Sequence, residues 1–181
     1  MLKKAIQQIR KWIDMGINPV NISVNQSKIV FYHENYISEL KSLLEEYNVS
    51  GSYITLEVLE STVIEDIDIF NSILTEVKKL GFSVSLDDFG SGYSSLNVLS
   101  KLQIDELKID RIFLHTKSEV DNQRTKWILE SIIDIAKKSQ ILVVVEGVES
   151  KQDDLFIKGL GADVGQGYFY GRPLSISAFN D

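Results

Sequence analysis

The chain has 181 residues, of which 44% are hydrophobic and 25% are charged, as is usual for one globular domain with a sizeable core. A formal net charge of -7 argues against polynucleotide binding, and the lack of cysteine excludes disulfides and thiolate metal sites. We find no signal peptide and no apolar run of membrane-spanning length, so we expect a cytoplasmic domain without a membrane segment.

Helical and strand patterns alternate along the chain. Amphipathic periodicity predicts helices at 2–15, 35–47, 66–80, 94–101, 122–139 and 151–160. Short alternating or apolar runs predict strands at 19–25, 53–59, 82–87, 106–110, 141–146 and 164–170. Such alternation is typical of an α/β fold with a parallel sheet. A closed eight-stranded barrel takes about 250 residues, so we predict one domain over 1–181, a TIM-like (β/α) barrel whose first strands are missing.

Two adjacent aspartates, Asp87 and Asp88, end the third predicted strand and run into a loop rich in glycine and serine. Neighbouring carboxylates repel each other, and a cation between them removes that repulsion. An Asx turn is the commoner explanation of an Asp-Asp pair. The residues at the other strand ends decide between the two, because in parallel α/β folds those ends form the active site.

Every predicted strand ends in polar residues, which are Asn25, Glu57 with Glu60, Asp87 with Asp88, Lys108 with Asp110, Glu146 with Glu149, and Gln166. Carboxylate and amide oxygens select Mg²⁺ or Mn²⁺ over zinc. Two such ions activate water and hold a phosphodiester for in-line attack. Lys108 adds a positive charge for that water or for the transition state, and Glu146 suits a general base. Taken singly, these residues are better explained as local ion pairs, turns and helix caps, but that explanation becomes the weaker one when all six strands end in polar residues.

Six stretches carry a family resemblance: N-I-S-V-N-Q-S, L-E-V-L-E-S, D-D-F-G-S-G-Y-S-S-L, L-K-I-D-R-I-F, V-E-G-V-E-S and Q-G-Y-F-Y-G-R-P-L. In sequence and order they resemble the motifs of the EAL family of cyclic-di-GMP phosphodiesterases, and the third is the most specific. The resemblance implies a bacterial signalling enzyme that hydrolyses cyclic di-GMP to linear pGpG with Mg²⁺ or Mn²⁺ in a two-ion site.

The resemblance also implies a role for each matched residue. The metal ligands would be Asn25, Glu57, Asp87 and Asp88. Lys108 would position the attacking water, Glu146 would act as the base, and Gln166 would contact the substrate. Glu60 and Glu149 would brace the loop 88–95.

The Glu-Ala-Leu signature of the family has no counterpart in this sequence. Since its glutamate is a metal ligand in the family, the resemblance implies an N-terminally truncated domain with weak turnover at most. The alternative is an inactive EAL domain that binds the nucleotide or a protein. The predicted strand 19–25 would then have an open edge, so we also expect association with itself or with other signalling domains.

Overall fold

The computed structural model describes residues 1–63, 67–91, 99–114 and 119–180. The helices are α1 (Leu2–Asp14), α2 (Lys28–Phe31), α3 (Tyr36–Tyr47), α4 (Glu60–Val63), α5 (Ile67–Lys79), α6 (Glu119–Lys138), α7 (Lys151–Leu160) and α8 (Ile176–Asn180). The strands are β1 (Ile22–Gln26), β2 (Ile54–Leu59), β3 (Ser83–Phe89), β4 (Glu106–Ile109), β5 (Leu142–Glu146) and β6 (Val164–Gln166). Short 3₁₀ helices cover Gly51–Tyr53 and Arg111–Phe113. All six predicted strands are therefore present.

The first compact unit, Met1–Leu107, contains a parallel sheet in the order β1, β2, β3, followed by the start of β4. Successive side chains of a strand point to opposite faces. One face is apolar and buried, and it includes Val24, Leu56, Val58, Val84 and Leu86. Helices α1 and α5 contact the sheet, and α3 packs against both helices. Burial of these side chains supplies the main stabilisation of the unit.

The second unit, Lys108–Asp181, contains the end of β4 and the parallel strands β5 and β6. Strand β5 has buried valines at three successive positions, 143 to 145. Burial on both faces explains its continuous apolar sequence. Helix α6 packs on β5, and α7 packs on α6.

Several predicted boundaries were wrong. Strand β1 begins at Ile22, and Val20 is 51% exposed. Strand β3 continues to Phe89, whereas β6 ends at Gln166 because the chain turns where Tyr170 donates its N–H to the Gly167 carbonyl. Helices α2 and α4 were not predicted, since four residues are too few to show a period. Most of the predicted helix 94–101 lies outside the described residues.

In each unit, an aspartate directly before a strand makes two hydrogen bonds to the backbone of a valine in the neighbouring strand. We call this arrangement a corner. Asp105, directly before β4, accepts the Val84 N–H at 2.9 Å and donates its own N–H to the Val84 carbonyl at 2.9 Å. Asp163, directly before β6, exchanges the same two bonds with Val143 at 2.8 and 3.1 Å. A lysine near the end of the helix that precedes the valine's strand lies near each carboxylate, Lys78 of α5 at 2.8 Å from Asp105 and Lys137 of α6 at 4.0 Å from Asp163.

The repeated corner predicts a stability effect. We expect Asp105→Ala and Asp163→Ala each to lower the free energy of unfolding by about 1–2 kcal/mol, because each leaves a strand N–H without its charged acceptor. Urea unfolding followed by circular dichroism measures the change. Asp134→Ala, which removes an exposed ion pair with Lys138, is the control and should cost less. Equal decreases in the free energy of unfolding in all three variants would show that the corners stabilise the protein no more than an exposed ion pair does.

Candidate functional site

Three predicted metal ligands lie on one face of the first unit's sheet. The register places Asn25 opposite Glu57, and Leu59 opposite Asp87. Because Leu59 follows Glu57 by two residues, the Glu57 and Asp87 side chains point to the same side. Glu57 is 7% exposed and Asp87 is 8% exposed, while Asn25 is exposed. Carboxylates this deeply buried need cations or hydrogen-bond donors nearby.

Asp88 joins this group through an unusual backbone conformation. Its φ of 58° lies in the left-handed region, which aspartate tolerates better than most residues. In a regular strand the side chains of residues 87 and 88 would point to opposite faces. Here one carboxylate oxygen of Asp87 and one of Asp88 lie within 4.8 Å of each other. The Asp88 N–H also donates to Asp87 Oδ1 at 3.0 Å. This left-handed kink of the backbone at Asp88 therefore brings its carboxylate close to that of Asp87.

The donor set of the first unit fits a hard divalent cation. It comprises three carboxylates and one amide oxygen, from Asn25, Glu57, Asp87 and Asp88. Oxygen ligands of this kind suit Mg²⁺ and Mn²⁺. A hydroxyl oxygen also belongs to this face, since Ser85, opposite Glu57, has a fully buried hydroxyl that finds no partner among the described residues.

The second unit contains the predicted catalytic and substrate-contacting residues, Lys108, Glu146 and Gln166. Lys108 Nζ in β4 lies 2.7 Å from Glu146 Oε1 at the end of β5, and their side chains are 6% and 20% exposed. The register places Gln166 of β6 opposite Glu146. Gln166 is exposed, and its carbonyl accepts the Val148 N–H at 3.0 Å. The buried ammonium of Lys108 thus contacts the carboxylate of Glu146, which is partly exposed to solvent. The exposed amide of Gln166 belongs to the residue paired with Glu146.

Gly147, directly after Glu146, is required for two reasons. Its φ of 73° is left-handed, and a Cβ there would meet the Cβ of Arg111. Arg111 thus lies against the end of β5 and leaves no space for a side chain at the residue after Glu146. Sequence reasoning did not single out Arg111, because nothing in the sequence reports this contact.

A buried carboxylate that the sequence analysis missed anchors the segment after Gln166. Asp154 of α7 is 1% exposed and accepts a hydrogen bond from the Tyr170 hydroxyl at 2.7 Å. Lys151 and Lys158 each lie 2.7 Å from its carboxylate. Hydrogen bonds from Lys151, Lys158 and Tyr170 hold the pKa of Asp154 well below its usual range. The bond to Asp154 also raises the pKa of Tyr170.

The two predicted bracing residues differ in their surroundings. Glu60 is 5% exposed and begins α4, whereas Glu149 is exposed and donates its N–H to Asp153 Oδ2 at 3.1 Å. Residues 92–98, which include half of the loop 88–95 that was to be braced, lie outside the described residues. The bracing roles therefore stay predictions.

The sequence and the fold both resemble known proteins. The family model described as "EAL domain" matches residues 1–173. The chain is 35% identical to the bifunctional diguanylate cyclase/cyclic di-GMP phosphodiesterase MucR of Pseudomonas aeruginosa, over 96% of this chain and 25% of MucR. It is 33% identical to the cyclic di-GMP phosphodiesterase PdeR of Escherichia coli, over 97% of this chain and 26% of PdeR. The chain thus spans about a quarter of the length of these curated relatives.

A solved structure described as "PaMucR Phosphodiesterase, c-di-GMP complex" superposes with a TM-score of 0.87 and 34% identity, covering 98% of this chain and 71% of that one. This likeness confirms the predicted α/β barrel type of fold. Among the helices that the structure describes, none combines the length and apolar character that a membrane span needs.

The buried Asp154 predicts a pH-dependent stability. We expect Asp154→Asn to lower the free energy of unfolding at neutral pH, and the difference from the unchanged protein to shrink as the pH falls below about 4. A carboxylate with a depressed folded-state pKa stabilises above its unfolded-state pKa and loses that effect as the pH falls toward the folded-state value. Urea unfolding at several pH values measures this. Asp134→Asn, on the exposed side of α6, should show little effect at any pH, and a constant Asp154→Asn difference would contradict the prediction.

Proposed function

The chain belongs to the EAL domain family, and we propose that it hydrolyses cyclic di-GMP to linear pGpG with the help of two divalent cations, Mg²⁺ or Mn²⁺. The observation that carries this proposal is the alignment of Asn25, Glu57 and Asp87 on one face of three adjacent parallel strands, with a carboxylate oxygen of Asp88 within 4.8 Å of one of Asp87. The names of MucR and PdeR support the substrate, because both are phosphodiesterases of cyclic di-GMP.

We assign the cation-holding role to the first unit. Asn25, Glu57, Asp87 and Asp88 would bind a cation through oxygen atoms, and two of the carboxylates are buried. When bound, divalent cations supply Lewis acidity to a phosphate oxygen and lower the pKa of a coordinated water. The left-handed backbone of Asp88 brings a further carboxylate oxygen close to Asp87, which favours more than one cation in this region.

We assign the proton-handling role to the second unit. The Lys108 ammonium lies 2.7 Å from Glu146 Oε1, and it would position an attacking water beside that carboxylate. This contact favours the ionised form of Glu146, which is the form that accepts a proton from water. The exposed amide of Gln166, opposite Glu146, can both donate to and accept from a nucleotide.

The first test measures turnover directly. We expect the purified chain to release pGpG slowly from cyclic di-GMP in the presence of Mn²⁺, and to stop when a chelator is added. Asp87→Asn should abolish release, because it removes a metal-binding charge. Glu76→Gln, which changes an exposed carboxylate of α5 in the same unit, is the matched control and should retain activity. Nucleotide binding without turnover would favour the alternative, an inactive binding module. If the chain shows no binding and no turnover, both proposed functions are contradicted.

The second test separates the two assigned roles. We expect Lys108→Met to lower the turnover number about 100-fold or more while Mn²⁺ affinity, measured by calorimetry, stays unchanged. Asp87→Asn should lower Mn²⁺ affinity instead. Lys79→Met, on the exposed side of α5, should change neither quantity.

Loss of Lys108 also leaves the Glu146 charge without its partner, so folding must be controlled. The double variant Lys108→Met with Glu146→Gln removes both charges, and it should recover stability without recovering turnover. Recovery of turnover in the double variant would show that Lys108 matters only for folding and would refute its catalytic role.

A further inference from the structure

Ser85 of β3 carries a buried hydroxyl that has no part in the mechanism proposed above. The residue has no exposed surface, and its Oγ has no hydrogen-bond partner among the residues that the structure describes. Buried hydroxyl groups in folded proteins nearly always have a partner. An exception on the face that carries the carboxylates therefore leaves a hydrogen-bond donor available to that group.

The register places Ser85 next to the carboxylates of the first unit. Asn25, Glu57 and Ser85 form one row across β1, β2 and β3. Asp87 follows Ser85 by two residues and therefore points to the same face. The neighbours Val84 and Leu86 point to the opposite, apolar face and are fully buried there. The hydroxyl thus belongs to the polar face that carries the candidate metal ligands.

Glu57 is the acceptor that this arrangement favours. Adjacent strands lie about 4.8 Å apart, whereas residues two apart on one strand are separated by about 6.6 Å, so Glu57 is nearer than Asp87. An ionised carboxylate has about four lone-pair sites and can accept a hydroxyl hydrogen bond while it also binds a cation. Because Ser85 has no exposed surface, a nucleotide cannot reach its hydroxyl directly.

We propose that Ser85 is a positioning residue of the metal site. Its hydroxyl has no partner among the described residues here, and when a divalent cation binds it donates to the Glu57 carboxylate and orients that carboxylate toward the cation. The proposal rests on the metal dependence proposed above. Hydrogen bonds to metal-ligating side chains fix their orientation, and their loss weakens metal binding. Ser85 would act on Glu57 from the buried end of its row, out of contact with substrate.

The test compares Ser85→Ala with Ser83→Ala in the whole chain. Ser83 precedes Ser85 by two residues on the same face but lies opposite Thr55 rather than opposite a carboxylate. We expect Ser85→Ala to raise the Mn²⁺ dissociation constant, measured by calorimetry, about 10-fold. Its melting temperature in chelator should stay equal or rise, because the variant removes an unpaired buried hydroxyl. Ser83→Ala should leave Mn²⁺ affinity unchanged.

Each other outcome overturns the inference in a distinguishable way. If Ser85→Ala binds Mn²⁺ as tightly as the unchanged chain, Ser85 does not act on the site, while the proposed metal dependence stands. If Ser85→Ala loses affinity and also melts at a clearly lower temperature in chelator, the hydroxyl supports the strand rather than Glu57. If the unchanged chain binds no Mn²⁺, the metal dependence itself is wrong, and the role of Ser85 fails with it.

Discussion

In the first unit, the parallel pairing of β1 with β2 and of β2 with β3 separates apolar from polar side chains. One face buries aliphatic residues beneath the helices, and the other carries Asn25, Glu57, Ser85 and Asp87 in aligned rows. A shift of any strand by one residue would exchange the two faces. Apolar burial against α1 and α5 therefore fixes the register, and the register in turn positions every candidate metal ligand of this unit.

The two units offer different chemistry at their strand ends. The first supplies carboxylate and amide oxygen atoms, and a cation between the carboxylates would relieve their mutual repulsion. The second supplies the Lys108–Glu146 pair, in which a nearly buried ammonium is balanced by a carboxylate that still reaches solvent. A buried ion pair is weak evidence for stability alone, since desolvation offsets much of its attraction. Its position beside the exposed Gln166 therefore supports a chemical role over a structural one.

The sequence predicted the elements that follow from periodicity or from turn chemistry. All six strands and the longer helices were found, and the predicted helix 151–160 agrees with α7 at both ends. The same periodicity says less about which residues are buried. Trp127 and Ile128, in the predicted helix 122–139, are 59% and 52% exposed, because burial depends on where neighbouring elements pack. The ends of β1, β3 and β6 were also missed, since they depend on pairing and on turns.

The sequence by itself determined the polar residue at each strand end and the order of the motifs, because alternation and spacing are properties of the chain. It therefore identified Asn25, Glu57, Asp87, Lys108, Glu146 and Gln166 as candidates. Only the tertiary structure decided the contacts that join distant residues, such as the Lys108–Glu146 pair and the bond from Tyr170 to Asp154. It also decided the left-handed kink at Asp88 and the unpaired hydroxyl of Ser85, since these depend on strand pairing and burial, which no local pattern encodes.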